Sequence, residues 1–580
     1  MSTTGRVESR WFWPCTVVLL AVMGTVQVTS ALQENNTWDE AIHLSAGYAY
    51  LKTGDFRMNA EHPPLGKLLT ALPLLWFDPA LPTGQPGWDV GAMINYGRQF
   101  LYSNRVPADT LLMAGRSVTI LLTLLLGLAL ALWTRRHFGA PAALFALFLF
   151  SFDPNLIAHG RYVTTDFITA LTFFLSCVSW AAYLESRKTR HLLLAGLALG
   201  LAVTSKFSML ILVALLPALY LIRWWQDPKR LSLARGAASL AVVLVIAGAV
   251  VLALYRMPPG PHSLVELVGG PTQVEKLIRT AVERLGVPLH PYLVGLVRVA
   301  QHGAGGHPGY LLGQISERGW WYYFPVVFLV KTPTAVLALC GLCAGLVLFL
   351  AGRIRELRRL PFAWFVLTLP PACYFLACTA SPLDLGVRHI LPVYPFLFVF
   401  LAGILFRVGR ERLRRWFPAV VAVALVGLAV ESLAIYPHYL AFFNAAVGGP
   451  KAGPRYLLDS NIDWGQDLKK LKAYMIAHDI PRVCALYFGN ALFHYYGVDV
   501  ERLPRTEELE QRRNLDCVAA ASVTPLYGLY STPASHRWLR EIEPMARIGY
   551  SIYLYDLRQP RPPSGQPPPP TRPGYNQSAK

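Results

Sequence analysis

Residues 111–133 read LLMAGRSVTILLTLLLGLALALW and carry a single charge, that of Arg116. Residues 240–255, LAVVLVIAGAVVLALY, carry none. Such runs approach the roughly 20 residues that an α-helix needs to cross the hydrocarbon core of a bilayer. Of the 580 residues, 54% are hydrophobic and 15% are charged, which is too little charge to cover the surface of a soluble protein this large. The chain is therefore predicted to be an integral membrane protein.

Eleven runs of this kind are predicted to be transmembrane helices. Their approximate bounds are 11–31, 109–133, 138–152, 164–184, 191–204, 207–223, 236–256, 324–350, 361–380, 388–406 and 416–435. The third, fifth and sixth runs are short for a full crossing and are expected to be tilted, broken or shielded by neighbours. The first run could be a cleaved signal peptide, but its length favours a retained helix.

The basic residues predict the orientation of these helices. They form short clusters between apolar runs, for example Arg135-Arg136 and Arg407 to Arg415. Because Lys and Arg concentrate in cytoplasmic loops, the N-terminus is predicted to be cytoplasmic in a multi-pass protein of the cell membrane. Segments 32–108, 257–323 and everything after residue 436 then face outside. The net charge of +19 is explained by these clusters, so a nucleic-acid partner is not indicated.

Three regions are distinguished by composition. Residues 1–435 are predicted to form the transmembrane domain, residues 436–557 a small extracytoplasmic α/β domain, and residues 558–580 a disordered Pro-rich tail. The predicted strands of the second region are 482–489, 516–523 and 548–557, with a helix at 469–478. Cys484 and Cys517 lie in two of these strands and could form a disulfide, but they are predicted to be two unpaired, buried thiols.

The first outer segment contains an unusual group of polar residues. Asp39 and Glu40 are adjacent and His43 follows, while residues 61–67 read EHPPLGK. Directly after a membrane helix, two carboxylates are costly unless a cation, a proton or water compensates them. A carboxylate held there can act as general base for a hydroxyl group. The alternative is a solvated loop that contains acidic residues by chance.

Asp39-Glu40-x-x-His43, followed by HPPLGKLL at 62–69, resembles the protein O-mannosyltransferases and their prokaryotic relatives, glycosyltransferase family 39. The resemblance implies the multi-helix GT-C class of membrane glycosyltransferases, which use polyprenyl-phosphate sugars. It is good from residue 32 to about residue 210 and loose over the rest of the membrane part. The resemblance implies nothing for the domain after residue 436, and the lumenal domain that the mannosyltransferases carry in the middle of the chain is missing, which puts a protein acceptor in doubt.

Further positions support the resemblance. Arg116 opens the second span, and Arg161 and Asp166 lie five residues apart in HGRYVTTDF. GLALGLAVTSKF ends in Lys206, and RHILPVYPFL begins with Arg388. The resemblance implies that these charged side chains belong to the substrate site.

The resemblance implies an inverting transfer in which Asp39 is the general base. Glu40 would orient the base or contact Arg116, and His43 and His62 would shape the pocket. Asp166 is a rival for the role of base.

A leaving polyprenyl phosphate needs cations at the membrane surface. Lys206 and Arg388 are predicted to contact the phosphate, and Arg388 could bind it bidentately. Lys331 lies inside an apolar run, and phosphate contact and snorkelling to the interface stay equally open. No residue pattern indicates a metal site, although a divalent metal as cofactor stays open.

Residues 458–468 read LDSNIDWGQDL, with acids at positions 459, 463 and 467. Asp463 is interpreted either as a helix N-cap or as part of a turn that recognises a sugar or an acceptor.

The leading functional hypothesis is a glycosyltransferase that uses a polyprenyl-phosphate monosaccharide and accepts on a lipid, glycan or protein hydroxyl at the outer face. Two alternatives are kept. A transporter or flippase would line a pathway with its buried charges. An envelope-assembly protein without catalysis would use its C-terminal domain as the working part. The charged residues lie at the outer ends of the spans and in one-sided loops, which favours the enzyme.

Overall fold

The structure is a computed structural model that describes residues 3–89, 91–255, 290–351, 357–505, 517–532 and 535–558. The predicted disordered tail lies, from residue 559 onwards, outside the described residues. Much of the predicted outer segment 257–323 lies outside them as well.

Apolar helices dominate the described residues. Seven of them are long and apolar enough to cross a membrane: Arg10–Ala31, Ala108–Phe138, Asp166–Ser186, Phe207–Gln226, Leu233–Leu254, Phe362–Thr379 and Val387–Ala434. Helices Tyr323–Lys331 and Thr334–Phe349 add an eighth span if they count as one. Two shorter apolar helices, Ala140–Phe152 and Thr189–Val203, correspond to predicted spans three and five. The predicted multi-span helical membrane fold is confirmed.

One predicted span is an interrupted helix, and two others share one long helix. The pair Tyr323–Lys331 and Thr334–Phe349 is bent by 113°, and Pro333 lies at the break. Proline supplies no backbone donor and is a common cause of such a bend. Helix Val387–Ala434 contains predicted spans ten and eleven, separated near Arg414, whose φ is +45°. The basic cluster at this point marks the boundary between the two.

The first outer segment is folded into helices packed on the bundle. Their bounds are Trp38–Thr53, Leu65–Ala71, Leu74–Phe77, Pro86–Asp89 and Met93–Tyr102. The first of them begins with a capping box, in which the Glu40 side chain accepts from the Thr37 backbone N–H at 2.8 Å. A Cβ at Gly97 would lie 2.8 Å from the Ala41 carbonyl oxygen, so these helices are in backbone contact. The segment is thus a rigid base for the side chains it carries.

After residue 436 the chain forms a small sheet. Its strands are β3 (Val483–Leu486), β4 (Val500–Arg502), β5 (Val518–Ser522), β6 (Ala546–Ile548) and β7 (Ile552–Asp556), in the order β4-β3-β5-β7-β6. Strands β3, β4 and β5 are parallel, and β6 and β7 are antiparallel to their neighbours. A hairpin of β1 (Gly309–Leu311) and β2 (Gln314–Ser316) precedes them, and helix Leu468–Ala477 lies where a helix was predicted. The predicted small α/β region is confirmed, although the two three-residue edge strands were missed.

Cys484 and Cys517 form a disulfide, so the prediction of two buried thiols is wrong. Val483 on β3 is paired with Val518 on β5, which places the neighbouring cysteines on adjacent strands with Cα atoms 6.0 Å apart. This distance suits a disulfide. The sequence alone does not show which strands are neighbours.

Candidate functional site

Asp39 lies at the start of helix Trp38–Thr53, directly beyond the end of the first membrane helix. The Trp38 backbone N–H donates to the Trp464 carbonyl at 2.9 Å, which ties this helix end to the C-terminal region. Arg388 donates from Nη1 to Asp39 Oδ2 at 2.7 Å. The side chains of Arg388 and Asp39 are 12% and 21% exposed. This ion pair is therefore accessible from outside the protein.

A second carboxylate–cation pair lies beside the first. Lys206 donates from Nζ to Asp166 Oδ1 at 2.8 Å. Asp166 is the first residue of its helix, and Lys206 follows helix Thr189–Val203, which packs along it. The charges of Asp166 and Arg388 also act on each other, so the two pairs form one cluster. We call Asp39–Arg388 and Asp166–Lys206 the open pairs.

Two histidines lie beside the open pairs. The rings of His43 and His62 lie 5.2 Å apart, and the charges of Asp39 and Asp166 both act on His43. Burial lowers the pKa of His43 to about 4 and that of His62 well below its usual range. Both rings are thus neutral near pH 7 and serve as polar walls. Among the described residues, no group of three or more His, Cys, Asp or Glu side chains could hold a metal ion.

Glu40, the neighbour of Asp39, has a different environment. Arg116 donates to its two carboxylate oxygens at 2.8 and 2.7 Å, so the predicted contact is present. The backbone N–H of Val163 donates to the same carboxylate at 3.1 Å. The Arg116 and Glu40 side chains are 1% and 0% exposed. Glu40 is therefore held by Arg116 and Val163 at the start of the helix that carries Asp39.

Arg161 is also held inside the protein. Its Nη2 donates to both carboxylate oxygens of Glu34, at 2.8 and 2.9 Å, and its side chain is 0% exposed. Lys470 approaches the same carboxylate at 3.5 Å. We call Glu40–Arg116 and Glu34–Arg161 the closed pairs. The resemblance implied that Arg116 and Arg161 belong to the substrate site, and in the structure both side chains are buried and paired with carboxylates.

Lys331 does not snorkel to the membrane interface, which was one of the two alternatives for it. Its Nζ donates to the carbonyls of Leu440 at 3.0 Å and Asn461 at 2.7 Å. It also lies 4.6 Å from the centre of the Phe443 ring, and its side chain is buried. Lys331 therefore neither snorkels nor faces an opening, and it anchors the chain that follows the last membrane helix.

The segment 458–468 contributes residues that sequence reasoning did not assign. The Arg388 guanidinium lies 4.5 Å from the centre of the buried Trp464 ring. Asp459 accepts a hydrogen bond from the Tyr530 hydroxyl at 2.6 Å and interacts electrostatically with Arg388. Burial raises the pKa of Asp459 above its usual range. The acid spacing in this segment was visible in the sequence, but its partners are distant in the chain.

Asp463 is not the predicted helix N-cap. The N-cap residue of Leu468–Ala477 is Asp467. Asp463 instead accepts from the backbone N–H groups of Gly465 at 3.3 Å and Thr524 at 3.1 Å. Burial raises its pKa to about 8. Its role in the structure is to fix the turn that carries Trp464.

The N-terminal part of the chain matches the sequence model of a known protein family. Residues 16–258 match the profile of the family described as dolichyl-phosphate-mannose-protein mannosyltransferase. The matched segment contains the Asp39 motif and the Asp166–Lys206 pair, whereas Lys331 and Arg388 lie beyond it. The match confirms the predicted resemblance, and with it the enzyme class, a glycosyltransferase with a lipid-phosphate sugar donor.

Several solved structures are similar to this chain. ArnT from Cupriavidus metallidurans bound to undecaprenyl phosphate is 16% identical with a TM-score of 0.46, and the match covers 97% of this chain and 100% of that chain. The archaeal oligosaccharyltransferase AglB from Archaeoglobus fulgidus, in complex with an inhibitory peptide and a dolichol-phosphate, is 15% identical with a TM-score of 0.44. That match covers 74% of this chain and 56% of AglB. The S. cerevisiae protein O-mannosyltransferase Pmt1-Pmt2 complex bound to the sugar donor is 20% identical with a TM-score of 0.30. That match covers 41% of this chain and 32% of the other. No curated protein matches the chain.

Proposed function

We infer that this membrane glycosyltransferase moves a monosaccharide from polyprenyl phosphate to a hydroxyl group at the outer face of the membrane, with inversion at the anomeric carbon. The observation that carries the proposal is the Asp39–Arg388 pair, a carboxylate and a cation 2.7 Å apart in a position open to solvent. An inverting transfer from a phosphate donor uses both kinds of group.

The proposed step begins with the acceptor hydroxyl, whose proton passes to the Asp39 carboxylate. The hydroxyl oxygen forms a bond to the anomeric carbon, and the bond from that carbon to the phosphate oxygen breaks. The bonding electron pair leaves with the polyprenyl phosphate. Arg388 and Lys206 stabilise the charge that develops on the phosphate oxygens. A phosphate that binds to Arg388 competes with Asp39 for the guanidinium, which makes the carboxylate available to the hydroxyl.

The assignment of Asp39 as base is supported by exposure. The Asp39 side chain is 21% exposed and that of its rival Asp166 is 2% exposed. A general base must reach the proton it removes, within hydrogen-bond distance or through one water. Asp166 is better suited to hold Lys206 in place. We therefore propose that Asp166 is a positioning residue for the phosphate-binding lysine.

The outer-face location has two kinds of support. The basic clusters lie at the ends of the spans opposite to the open pairs, as the cytoplasmic ends of membrane helices do. The Cys484–Cys517 disulfide belongs to the region after the last span, and disulfides persist mainly in oxidising compartments.

The activity is tested by supplying the purified full chain with a panel of polyprenyl-phosphate sugars and measuring the release of polyprenyl phosphate. We expect polyprenyl phosphate to be released from at least one donor. If release increases when a hydroxyl compound is added, the sugar is transferred to that compound. No release from any donor, with or without added lipid, glycan or peptide, would reject the proposal.

The orientation is tested by labelling a single cysteine introduced at Val500, an exposed position on β4. We expect a membrane-impermeant thiol reagent to label Val500→Cys in intact cells. Labelling only after permeabilisation would place the sheet in the cytoplasm.

A further inference from the structure

Residues 460–468 lie between the chain that carries Asp39 and the chain that carries Arg388, and we call them the bridging segment. They read SNIDWGQDL, and all nine residues are buried although five of them are polar or acidic. Burying a polar group is costly unless it is hydrogen-bonded. The contacts of the bridging segment therefore show what holds it in place.

One side of the bridging segment binds the chain that leads to Asp39. Three hydrogen bonds join the two: from the backbone N–H of Asn35 to the Gln466 carbonyl at 3.2 Å, from that of Trp38 to the Trp464 carbonyl at 2.9 Å, and from that of Leu468 to the Asn35 side chain at 2.7 Å. Trp38 is the residue immediately before Asp39. The backbone at the start of the helix that carries Asp39 is thus fixed to the bridging segment.

The other side of the bridging segment binds the chain that leads to Arg388. The backbone N–H of Val387 donates to the Asn461 side-chain oxygen at 3.1 Å. The Ser460 hydroxyl donates to the Leu385 carbonyl at 2.6 Å. The same nine residues therefore hold the backbone next to both partners of the Asp39–Arg388 pair.

The side chain of Trp464 contacts Arg388 directly. The guanidinium lies 4.5 Å from the centre of the Trp464 ring, which is 1% exposed. His159 and Tyr162 pack on the same ring in T-shaped geometry, with ring centres 6.1 and 6.0 Å away. A cation is attracted to the face of an aromatic ring, most strongly to tryptophan and where water is excluded. Arg388 meanwhile donates from Nη1 to Asp39, and its Nε has no hydrogen-bond partner among the described residues.

We propose that Trp464 is a positioning residue for the transfer. Its ring holds the Arg388 guanidinium in the orientation that binds the donor phosphate, and its carbonyl fixes the backbone next to Asp39. The inference rests on the proposed function and adds a residue of the C-terminal region to the site. An arginine that is held before the donor arrives loses less conformational freedom on binding, so the donor binds more tightly.

A double-mutant cycle tests whether Trp464 acts through Arg388. The probe is geranylgeranyl phosphate, a polyprenyl phosphate without a sugar, titrated calorimetrically into the purified full chain in detergent micelles. We expect Trp464→Leu to raise its dissociation constant about 2–10-fold, the cost of ordering the arginine side chain on binding. The double variant Trp464→Leu with Arg388→Ala should bind like Arg388→Ala alone, because the ring has no guanidinium left to hold.

Two further variants separate positioning from a loss of packing. Trp464→Phe retains an aromatic face and should weaken binding less than Trp464→Leu does. Trp180→Leu makes the same substitution at a tryptophan that is 0% exposed and lies 14 residues after Asp166 on its helix, about 20 Å along the axis. It should lower the thermal unfolding midpoint and leave the dissociation constant unchanged. If Trp464→Leu does not fold, Trp464→Met takes its place, because the longer methionine side chain fills more of the space.

The proposal is overturned if folded Trp464→Leu binds the probe like the wild type, or if Trp464→Phe weakens binding as much as Trp464→Leu. It is also overturned if the losses from Trp464→Leu and Arg388→Ala add in the double variant, or if the wild type does not bind the probe. Additive losses are what a purely structural role of Trp464 predicts.

The failure of this proposal and the failure of the proposed function are distinguishable. Release of polyprenyl phosphate from the donor panel is measured on the same wild-type preparation. Release together with additive losses rejects the role of Trp464 alone. Non-additive losses without release from any donor reject the transferase function and retain the contact of Trp464 with a phosphate-binding Arg388.

Discussion

Asp39 and Glu40 are adjacent in the chain, and each binds an arginine at 2.7 Å, yet their surroundings are opposite. Glu40 and Arg116 are closed off from solvent, with side chains 0% and 1% exposed, whereas Asp39 and Arg388 are 21% and 12% exposed. Successive residues of a helix point about 100° apart, so one faces the interior and the next faces the opening. The distance between the charges does not distinguish a scaffold from a site, whereas burial does.

The other closed pair, Glu34–Arg161, and the other open pair, Asp166–Lys206, differ in the same way. Glu34 receives two hydrogen bonds from Arg161 and is fully buried, while Lys206, the partner of Asp166, is 15% exposed. In both closed pairs the carboxylate binds an arginine and accepts further hydrogen bonds, from the Val163 N–H in one pair and from the Tyr162 hydroxyl in the other, and both partners are buried. In both open pairs the cation retains exposed surface that a phosphate could contact. The comparison supports the proposal that the open pairs take part in the reaction and that the closed pairs hold the structure around them.

The sharpest test of the comparison is Asp39→Asn. Because Asn retains the shape but cannot accept the proton, we expect the transfer rate to fall about 10²–10⁴-fold, the usual contribution of general base catalysis. The thermal unfolding midpoint and the dissociation constant of the donor should change little. The matched variant is Asp166→Asn, which should lose less activity. If Asp166→Asn loses nearly all activity while Asp39→Asn keeps most of it, the roles of the two carboxylates must be exchanged.

The opposite result is expected for the closed pair. Glu40→Gln leaves the buried Arg116 without its counter-charge, and breaking a buried ion pair costs about 3–5 kcal/mol. We expect the free energy of unfolding, measured by denaturant titration in micelles, to fall by about that amount. Glu34→Gln should behave alike, because Arg161 is equally buried. A Glu40→Gln protein that is as stable as the wild type but inactive would move Glu40 into the substrate site.

The cations of the open pairs should affect donor binding. We expect Arg388→Ala and Lys206→Ala each to raise the dissociation constant of the donor about 10–100-fold, the effect of losing a charged hydrogen bond. The apparent constant for the acceptor should rise less. Lys451→Ala, at an exposed lysine after the last span, is the matched control and should change neither. An effect confined to the acceptor constant would remove that residue from the phosphate site.

The smallest expected effect concerns the neutral histidine wall. The pKa of His43 is lowered from 6.5 to about 4 by burial, so the unfolded chain binds a proton that the folded protein excludes. Stability should therefore fall as the pH drops below about 6.5, and the loss should level off near pH 4. Between pH 7 and pH 5, His43 should lower the free energy of unfolding by about 2 kcal/mol. The free energy of unfolding is measured at pH 5 and pH 7 for the wild type and for His43→Gln. The variant should lose less stability than the wild type between pH 7 and pH 5. Equal losses would contradict the lowered pKa of His43.

Much of the fold could be predicted because its signals are local. The length of an apolar run and the position of the next basic cluster are read directly along the chain, and the described residues of every predicted span are mainly helical. The strands near residues 483, 518 and 552 were predicted for the same reason, since short buried runs are visible in the sequence. The two edge strands were missed because each has only three residues.

The sequence by itself determined the membrane class, the placement of the spans, and the group of polar residues from Asp39 onwards. Only the tertiary structure decided which carboxylate is open and which is closed. The partners are far apart in the chain: 76 residues separate Glu40 from Arg116, and 349 separate Asp39 from Arg388. Whether a charge is buried, paired or accessible depends on how distant helices pack, and that information is not contained in any local pattern. For the same reason the anchoring role of Lys331 became visible only once the chain was folded.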